Sequence, residues 1–424
     1  MKVLVVGSGG REHAVITKLL ENKNIDEIIC APGNGGISTV ARCVNVKATD
    51  IEGMVDLAKQ EQVDFCVVTP DDPLALGMVD AMEEAGIPSF GPDKKAAIIE
   101  ASKVFSKNLM QKYNIPTAKY AVFDDAEKLF AYVEEQNSFP CVLKADGLAL
   151  GKGVLIAKDL EEAKEAIKEL MVDKKFGESG NEVVVEEFME GPEVSVLSFT
   201  DGKTIVPMIS SMDHKRVNDN DEGLNTGGMG TIAPSPFYTE EIAKRCYEEI
   251  FVPTMKAMNA EGRTFKGVLY FGLMLTKDGP KVVEYNCRFG DPETQVVLPL
   301  LNTDLFTIFR HVHDETLEEL DITWKNECAA CVMEASGGYP ESYKKGYPIQ
   351  GLDKDGQHDG VTVFHSGTKK EEGTFYTNGG RVLGIEANAP TLQEALNTCY
   401  EAIKEITFTD MHYRTDIGRK VLEK

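Results

Sequence analysis

The segment Lys281-Val282-Val283-Glu284-Tyr285-Asn286-Cys287-Arg288-Phe289 constrains the fold more than any other stretch of this chain. Its opening reads as a strand. Alternate side chains on a strand point to opposite faces, so Glu284, Asn286 and Arg288 share one face while Tyr285, Cys287 and Phe289 share the other. Such a strand lies on a core by its apolar face and offers a carboxylate, a carboxamide and a guanidinium on the other. Carboxylate and amide oxygens are the hard ligands Mg²⁺ takes when it also holds phosphates, and a guanidinium suits carboxylate or phosphate. The plainer alternative is a half-exposed strand with a solvated polar face.

Two further segments bear on that choice. Val142-Leu143-Lys144 runs into Ala145-Asp146-Gly147-Leu148-Ala149-Leu150-Gly151-Lys152-Gly153, and Val154-Leu155-Ile156-Ala157 reads as a returning strand. The glycine spacing and Gly153 after Lys152 do not match a Walker motif. A hairpin with a glycine-rich flap over phosphates fits better, the glycines letting backbone N–H groups approach and the lysines adding charge. An ordinary glycine-rich hairpin is the alternative. The run Val183-Val184-Val185-Glu186-Glu187-Phe188 then breaks at Gly191-Pro192 and resumes at Glu193-Val194, the shape of a hinge between lobes or of an acidic surface turn. Backbone groups at Glu186 and Phe188 could meet an adenine edge while Glu193 accepts from ribose hydroxyls.

In this order the three segments resemble the ATP-grasp ligases. Val3 to Ala14 (with Gly7-Ser8-Gly9-Gly10-Arg11), Ala31-Pro32-Gly33-Asn34, Asp213-His214-Lys215-Arg216, Asn225 to Gly230, Asn286 to Gln295 and Thr377 to Leu383 resemble the glycinamide ribonucleotide synthetase family, from residue 1 nearly to residue 424. The resemblance implies an α/β multidomain ATP-grasp fold. Residues 1–97 are expected as an N-terminal Rossmann-like substrate-binding domain with a parallel sheet, 98–320 as the ATP-grasp region with its flap lobe at about 119–190, and 321–424 as a C-terminal β-rich domain.

It also implies a reaction: glycine's carboxylate attacks the γ-phosphate of ATP, and 5-phosphoribosylamine displaces phosphate from glycyl phosphate. Lys144, Arg288 and Asp213 are the expected catalytic residues. Lys103, Lys144, Gly151, Gly153, Glu186, Glu187, Phe188 and Glu193 are expected around ATP, and Glu284 and Asn286 on Mg²⁺ or Mn²⁺. Gly9, Gly10, Arg11, Asn34, Asp213, His214, Lys215, Gly227, Gly228 and Arg288 are expected around the substrates. Many relatives carry a second acidic metal ligand on the preceding strand, but Gly267-Val268-Leu269-Tyr270-Phe271-Gly272-Leu273-Met274-Leu275 has no carboxylate. Another carboxylate-amine ligase acting on a purine precursor is the runner-up, and a silent ATP-binding module is a third reading.

A dinucleotide oxidoreductase is the rival at the N-terminus, where Val3–Val6, the glycines and a helix from about Glu12 to Leu20 open like a Rossmann unit. Glu12 stands where the fingerprint needs its third glycine, so a substrate phosphate at this helix start is expected instead. Asp71 and Asp72, after the strand ending Val67-Val68, are placed to reach ribose hydroxyls. Asp213 to Pro236 reads as a long polar substrate loop that returns to the fold through Met229–Pro234.

The net charge of −24 speaks against nucleic-acid or membrane-surface partners, and 42% hydrophobic residues suffice for several cores. With no signal peptide or membrane-length apolar run, a cytoplasmic location is expected, in the family's single-function form. A monomer in transient contact with the preceding pathway enzyme is expected. The Cys328-x-x-Cys331 pair lacks partners at zinc spacing and is expected to be structural, and His311 and His313 are assigned no chemistry. A capping box at Thr391 and Glu394 predicts a helix running to Ile406.

Overall fold

The computed structural model describes residues 1–148 and 153–423, so Gly151 and Lys152 lie outside the described residues. The N-terminal unit is a parallel sheet in the order β3-β2-β1-β4-β5, built from β1 (Lys2–Gly7), β2 (Glu27–Pro32), β3 (Arg42–Cys43), β4 (Phe65–Val68) and β5 (Ser89–Phe90). Helices α1 (Gly10–Leu19), α2 (Ile51–Gln60), α3 (Asp71–Leu76), α4 (Met78–Glu84) and α5 (Lys94–Ala101) connect or follow these strands. β1 shows why the sheet is covered on both sides. Val3 and Val5 pack with Val15, Ile16 and Leu19 of α1, whereas Leu4 and Val6 pack with Met54, Met78 and Met82 of α2 and α4.

After α6 (Lys103–Lys112), β6 (Tyr120–Phe123), β7 (Cys141–Ala145), β8 (Val154–Ala157) and β9 (Val183–Glu187) form an antiparallel sheet in the order β6-β9-β7-β8. The expected hairpin is present, with Lys144 opposite Val154 and Cys141 opposite Ala157. Helices α7 (Ala126–Gln136) and α8 (Leu160–Ile167) cover one face and give this lobe its own core of Leu129, Val133, Leu143, Ala163, Ile167 and Val185. A separate core is what allows a lobe to move as a body.

The chain then crosses to a second antiparallel sheet of β10 (Glu193–Thr200), β11 (Ile205–Pro207), β16 (Gly267–Thr276) and β17 (Gly279–Asn286), in the order β11-β10-β16-β17. Helices α9 (Glu240–Cys246) and α10 (Val252–Ala260) lie between β11 and β16. The change of sheet falls between β9 and β10, at the expected hinge.

Residues 213–236 differ from the long loop expected. They contain the end of β12 (Met212–Asp213), a two-stranded ribbon of β13 (Arg216–Asn218) and β14 (Glu222–Asn225), and β15 (Gly230–Ala233). The polar residues that suggested a loop form an exposed ribbon, while Thr231, Ile232 and Ala233 are fully buried as a strand. β12 and β15 join β18 (Cys328–Ala335), β19 (Thr362–His365) and β22 (Arg381–Ala389) in a sheet ordered β12-β15-β18-β22-β19. A small hairpin of β20 (Thr368–Glu371) and β21 (Thr374–Thr377) lies beside it.

Short α11 (Thr294–Val297) and α12 (Leu305–His313) lead into this sheet, and α13 (Leu392–Ile403) packs Leu396, Cys399 and Ile403 onto Ile232, Val332 and Ile385. Helix α13 opens with the predicted capping box and closes at Ile403, short of the Ile406 expected. Cys331 is a buried residue of the sheet. No helix among the described residues is long and apolar enough to cross a membrane.

Candidate active site

Where the flap sheet meets β17, lysines from separate elements gather. Lys144 and Glu186 are diagonal neighbours on β7 and β9, and Lys144 Nζ stands 3.1 Å from Glu186 Oε1. The same ammonium donates to Val283 O at 3.2 Å, which ties the flap sheet to β17. Lys107 reaches Glu186 Oε1 at 3.2 Å and donates to Thr117 Oγ1 at 2.7 Å. Burial pushes the Lys107 ammonium down to about 8. One helical turn earlier, Lys103 donates to Gly147 O at 2.6 Å, and burial lowers its pKa against the pull of Glu284. Lys107 was not singled out by sequence, although its i, i+4 spacing from Lys103 places both on one face of α6.

From Glu284 on, β17 follows the expected alternation, whereas a bulge at Val283 puts Val282 in the same core as Tyr285. Tyr285 and Cys287 are buried in the core, with Tyr285 Oη and Thr254 Oγ1 2.8 Å apart, while Glu284 and Asn286 face the cleft side with Arg288 just beyond. Burial would raise the Glu284 carboxyl, but Lys215, Lys144, Lys103 and Arg288 outweigh it and hold the pKa below the usual glutamate value. Asn286 Nδ2 donates to Glu100 Oε1 at 2.8 Å, which leaves Oδ1 as its free acceptor. An ionised carboxylate and an amide oxygen fit Mg²⁺ or Mn²⁺. No group of three or more His, Cys, Asp or Glu placed to hold a metal occurs among the described residues, so a cation held here would take its remaining ligands from outside these side chains.

The other hinge residues are divided. Glu187 Oε1 accepts from Lys119 N at 3.0 Å and stands 3.8 Å from Lys281, so this carboxylate stitches the lobes. Phe188 is among the exposed large apolar side chains. Glu193, at the start of β10, is raised by burial and by Glu284 against the pull of Lys215. Gly153 O accepts from Ala145 N at 2.8 Å and so closes the hairpin.

On the ribbon side, Asp213 Oδ1 accepts from His214 N at 2.7 Å, while Oδ2 is buried without a hydrogen-bond partner. Burial and the charge of Glu293 push this carboxyl well above the usual aspartate value, with Lys215 and Arg381 opposing. Lys215 Nζ is 3.9 Å from Glu284 Oε1. Burial works against this ammonium, yet Tyr270, Glu284, Glu193 and Asp213 hold its pKa well above the usual lysine value. Arg288 Nε is also buried without a partner. Arg288 and Arg11 both donate to Phe289 O, at 3.3 and 3.1 Å, so two guanidinium groups meet at one carbonyl. Tyr270 Oη donates to Glu293 Oε1 at 3.1 Å.

Several expected substrate residues have their polar atoms committed to the fold. At the start of α1, Gly9 N donates to Glu12 Oε2 at 2.6 Å and Arg11 N to Asp291 Oδ2 at 3.3 Å, so carboxylates of the chain occupy amides expected to face a phosphate. Gly10 is a packing glycine, since a Cβ there would lie 2.6 Å from Gln295 Nε2 and 2.7 Å from Ser366 Oγ. Asn34 Nδ2 donates to Ser8 O and His365 O at 2.9 and 2.8 Å, and its Oδ1 accepts from Ile37 N, which uses the whole amide. His214 accepts from Gly418 N at Nε2 and meets Gly230 O at Nδ1, so its ring pins the chain's last segment instead of reaching the cleft. Gly227 N donates to Tyr339 Oη at 3.0 Å. Gly228, at φ 124°, leaves its Asp213 and Pro292 neighbours space that a Cβ would take.

The ribbon is clamped by residues 412–420. Arg414, 1% exposed, donates to Asp416 Oδ1 and Oδ2 at 2.8 and 2.9 Å, to Asp221 Oδ1 at 2.9 Å and to Arg216 O at 3.1 Å. Asp416 Oδ2 also accepts from Asn220 N, Thr415 bonds Asp219, Lys420 pairs with Asp221, and His412 Nε2 meets Val217 O.

Comparison with known proteins agrees with this architecture. Models of the phosphoribosylglycinamide synthetase N domain, ATP-grasp (A) domain and C domain match residues 1–100, 101–294 and 329–420. The phosphoribosylamine–glycine ligases of Caldanaerobacter subterraneus and Clostridium acetobutylicum are each 46% identical to the chain, over 418 and 419 residues, covering 99% of it and 99% and 100% of themselves. A crystal structure of phosphoribosylamine–glycine ligase from Thermotoga maritima superposes with a TM-score of 0.86 at 31% identity, covering 98% of this chain and 100% of that one. The biotin carboxylase domain of Hydrogenobacter thermophilus 2-oxoglutarate carboxylase shares the fold, with a TM-score of 0.74 at 17% identity and coverage of 97% and 91%. With matches along nearly its whole length, the chain belongs to the phosphoribosylglycinamide synthetase family.

Proposed function

We propose that the chain is an ATP-dependent carbon–nitrogen ligase that joins glycine to 5-phosphoribosylamine, giving glycinamide ribonucleotide, ADP and phosphate in purine biosynthesis. The observation that carries the reading is the meeting of charges in one cleft. Lys144 bridges to the strand bearing Glu284 and Asn286, and the unpartnered Asp213 Oδ2 and Arg288 Nε lie in the adjoining polar cluster.

The first step brings an anionic carboxylate to an anionic phosphate. Two unit charges about 4 Å apart repel by about 4 kcal/mol at an effective dielectric of about 20. Lys144 and Lys103 would receive the triphosphate and offset that repulsion. Mg²⁺ or Mn²⁺, held by Glu284 and Asn286, neutralises charge on the phosphate oxygens when bound. Asp213 suits glycine's ammonium and Arg288 its carboxylate, each gaining the partner it lacks. The carboxylate then attacks the γ-phosphate to give glycyl phosphate and ADP, and the amine of phosphoribosylamine displaces phosphate to form the amide. Phosphoribosylamine decomposes in water, so its direct transfer from the preceding enzyme belongs to the reading.

An ADP-release assay with each substrate omitted tests the assignment, and hydroxylamine tests the intermediate by trapping glycyl hydroxamate. Turnover unchanged without glycine would refute it.

A further inference from the structure

We propose that Glu100 is a positioning residue for the metal arm, fixing which end of the Asn286 amide faces the cation and where the Arg288 guanidinium stands. The inference rests on the reading of Glu284 and Asn286 as that arm. Glu100 is the last residue but one of α5, remote in sequence from β17 and 9% exposed. Its Oε1 accepts from Asn286 Nδ2 at 2.8 Å and stands 3.2 Å from Arg288 Nη2, while Oε2 accepts from Cys287 N at 2.7 Å. One carboxylate therefore receives donors from three successive residues.

An amide is pseudo-symmetric in shape but not in chemistry. With Nδ2 against Glu100, Asn286 Oδ1 becomes the outward atom on the face it shares with Glu284. The flipped amide would set two acceptor oxygens against each other and turn an NH₂ group toward a cation. Glu100 thus selects the orientation able to ligate. It is not itself the acidic ligand missing from β16, because its oxygens are spent on Asn286, Cys287 and Arg288. The carboxylate also bears on Arg288 directly through Nη2, while Nε stays buried without a partner.

The test is E100Q, close in shape to the native side chain but with a donor in place of one acceptor. Facing donors from three residues, glutamine cannot keep them all, and turning its NH₂ toward Asn286 flips that amide. Mn²⁺ affinity is measured by electron paramagnetic resonance with the full chain and a non-hydrolysable ATP analogue. E100Q is expected to weaken Mn²⁺ by 10- to 100-fold, the usual effect of removing a partner that orients a metal ligand. E100Q/N286D is expected to recover at least half of the loss on a logarithmic scale, since aspartate presents oxygen in either orientation and can accept from the introduced glutamine amide. N286D alone is measured beside it, because an added carboxylate strengthens Mn²⁺ in any background: a purely structural role for Glu100 predicts the same gain from N286D in both backgrounds, and orientation by Glu100 predicts the larger gain in E100Q. Mn²⁺ affinity within twofold of wild type in E100Q, no recovery in the double variant, or the same N286D gain in both backgrounds would overturn the proposal. Unchanged Mn²⁺ affinity in E284Q would overturn the metal-arm reading, and the proposal with it.

Discussion

Replacing Arg414 by methionine tests whether the clamp on the β13–β14 ribbon is held by charge. The guanidinium is 1% exposed and donates three charge-assisted bonds of 2.8–2.9 Å to Asp416 and Asp221. Such bonds contribute about 1.5–3 kcal/mol each, but burying the guanidinium costs several kcal/mol, so their sum overstates the net gain. The larger effect comes from what R414M leaves behind: the Asp416 side chain is 7% exposed and would remain charged without its partner. Breaking a buried pair from one side costs about 3–5 kcal/mol. For a unit of 150–250 residues that lowers the melting temperature by on the order of 10 °C. R414M/D416N removes the stranded charge and is expected to regain about half of the loss.

The pH dependence has a definite sign. Burial would raise Asp416, but bonds from Arg414 and Asn220 outweigh it and hold the pKa far below the usual aspartate value. A depressed carboxyl stabilises the fold above its unfolded pKa and loses that contribution as pH falls. The gap between wild type and R414M is therefore widest above about pH 4 and narrows below it. Scanning calorimetry from pH 3 to 7, with amide exchange at residues 214–221, reads both effects. The expected kinetic change is a higher KM for glycine with ADP affinity unchanged. A loss below about 1 kcal/mol, or equal melting of R414M and R414M/D416N, would refute the reasoning.

K144A is expected to lower kcat by two to three decades, about 2–4 kcal/mol, with a smaller effect on nucleotide affinity, as single-turnover rates and ADP titration would check. Because Lys107 is lowered to about 8, the unfolded chain holds this proton more tightly, and wild-type stability rises relative to K107M between pH 8 and about 10.5, by at most about 1.4 kcal/mol per unit. Denaturant titrations across that range would show it, and a constant difference would argue against a Lys107 pKa depressed by burial. G10A is expected to cost about 1–3 kcal/mol by forcing α1 away from Gln295 and Ser366, read by thermal melting.

Local patterns survived folding because local physics decides them. The alternation from Glu284 to Cys287, the hairpin returning at Val154 and the Thr391–Glu394 cap depend on neighbours along the chain, whereas the bulge at Val283 and the packing of Phe289 in a different core from Tyr285 are set by tertiary contacts. The partners of those elements were hidden. Nothing in the sequence singles out Glu100 or Lys107, and only tertiary approach brings Glu100 to Asn286 and Lys107 to Glu186. Family-like motifs mixed ligand-facing chemistry with scaffolding: Asn34 and His214 stand in such motifs, yet the polar atoms of both side chains are used within the protein. The ribbon reads as a loop because Val217 is the one buried residue of its two strands, too little to give a period.

The sheet that holds β15 is completed by strands beginning at Cys328, after both sheets that meet at Lys144 and Val283 are already encoded. A ribosome at about 5–20 residues per second needs several more seconds to deliver them. During that delay Thr231–Ala233 has no neighbour on its β18 side, and the pins from Gly418 and Arg414 do not yet exist. On the proposed assignment, a nascent chain would complete the sheets that bear Lys144, Glu284 and Asn286 before the ribbon beside Asp213 gains its pins from Arg414 and Gly418.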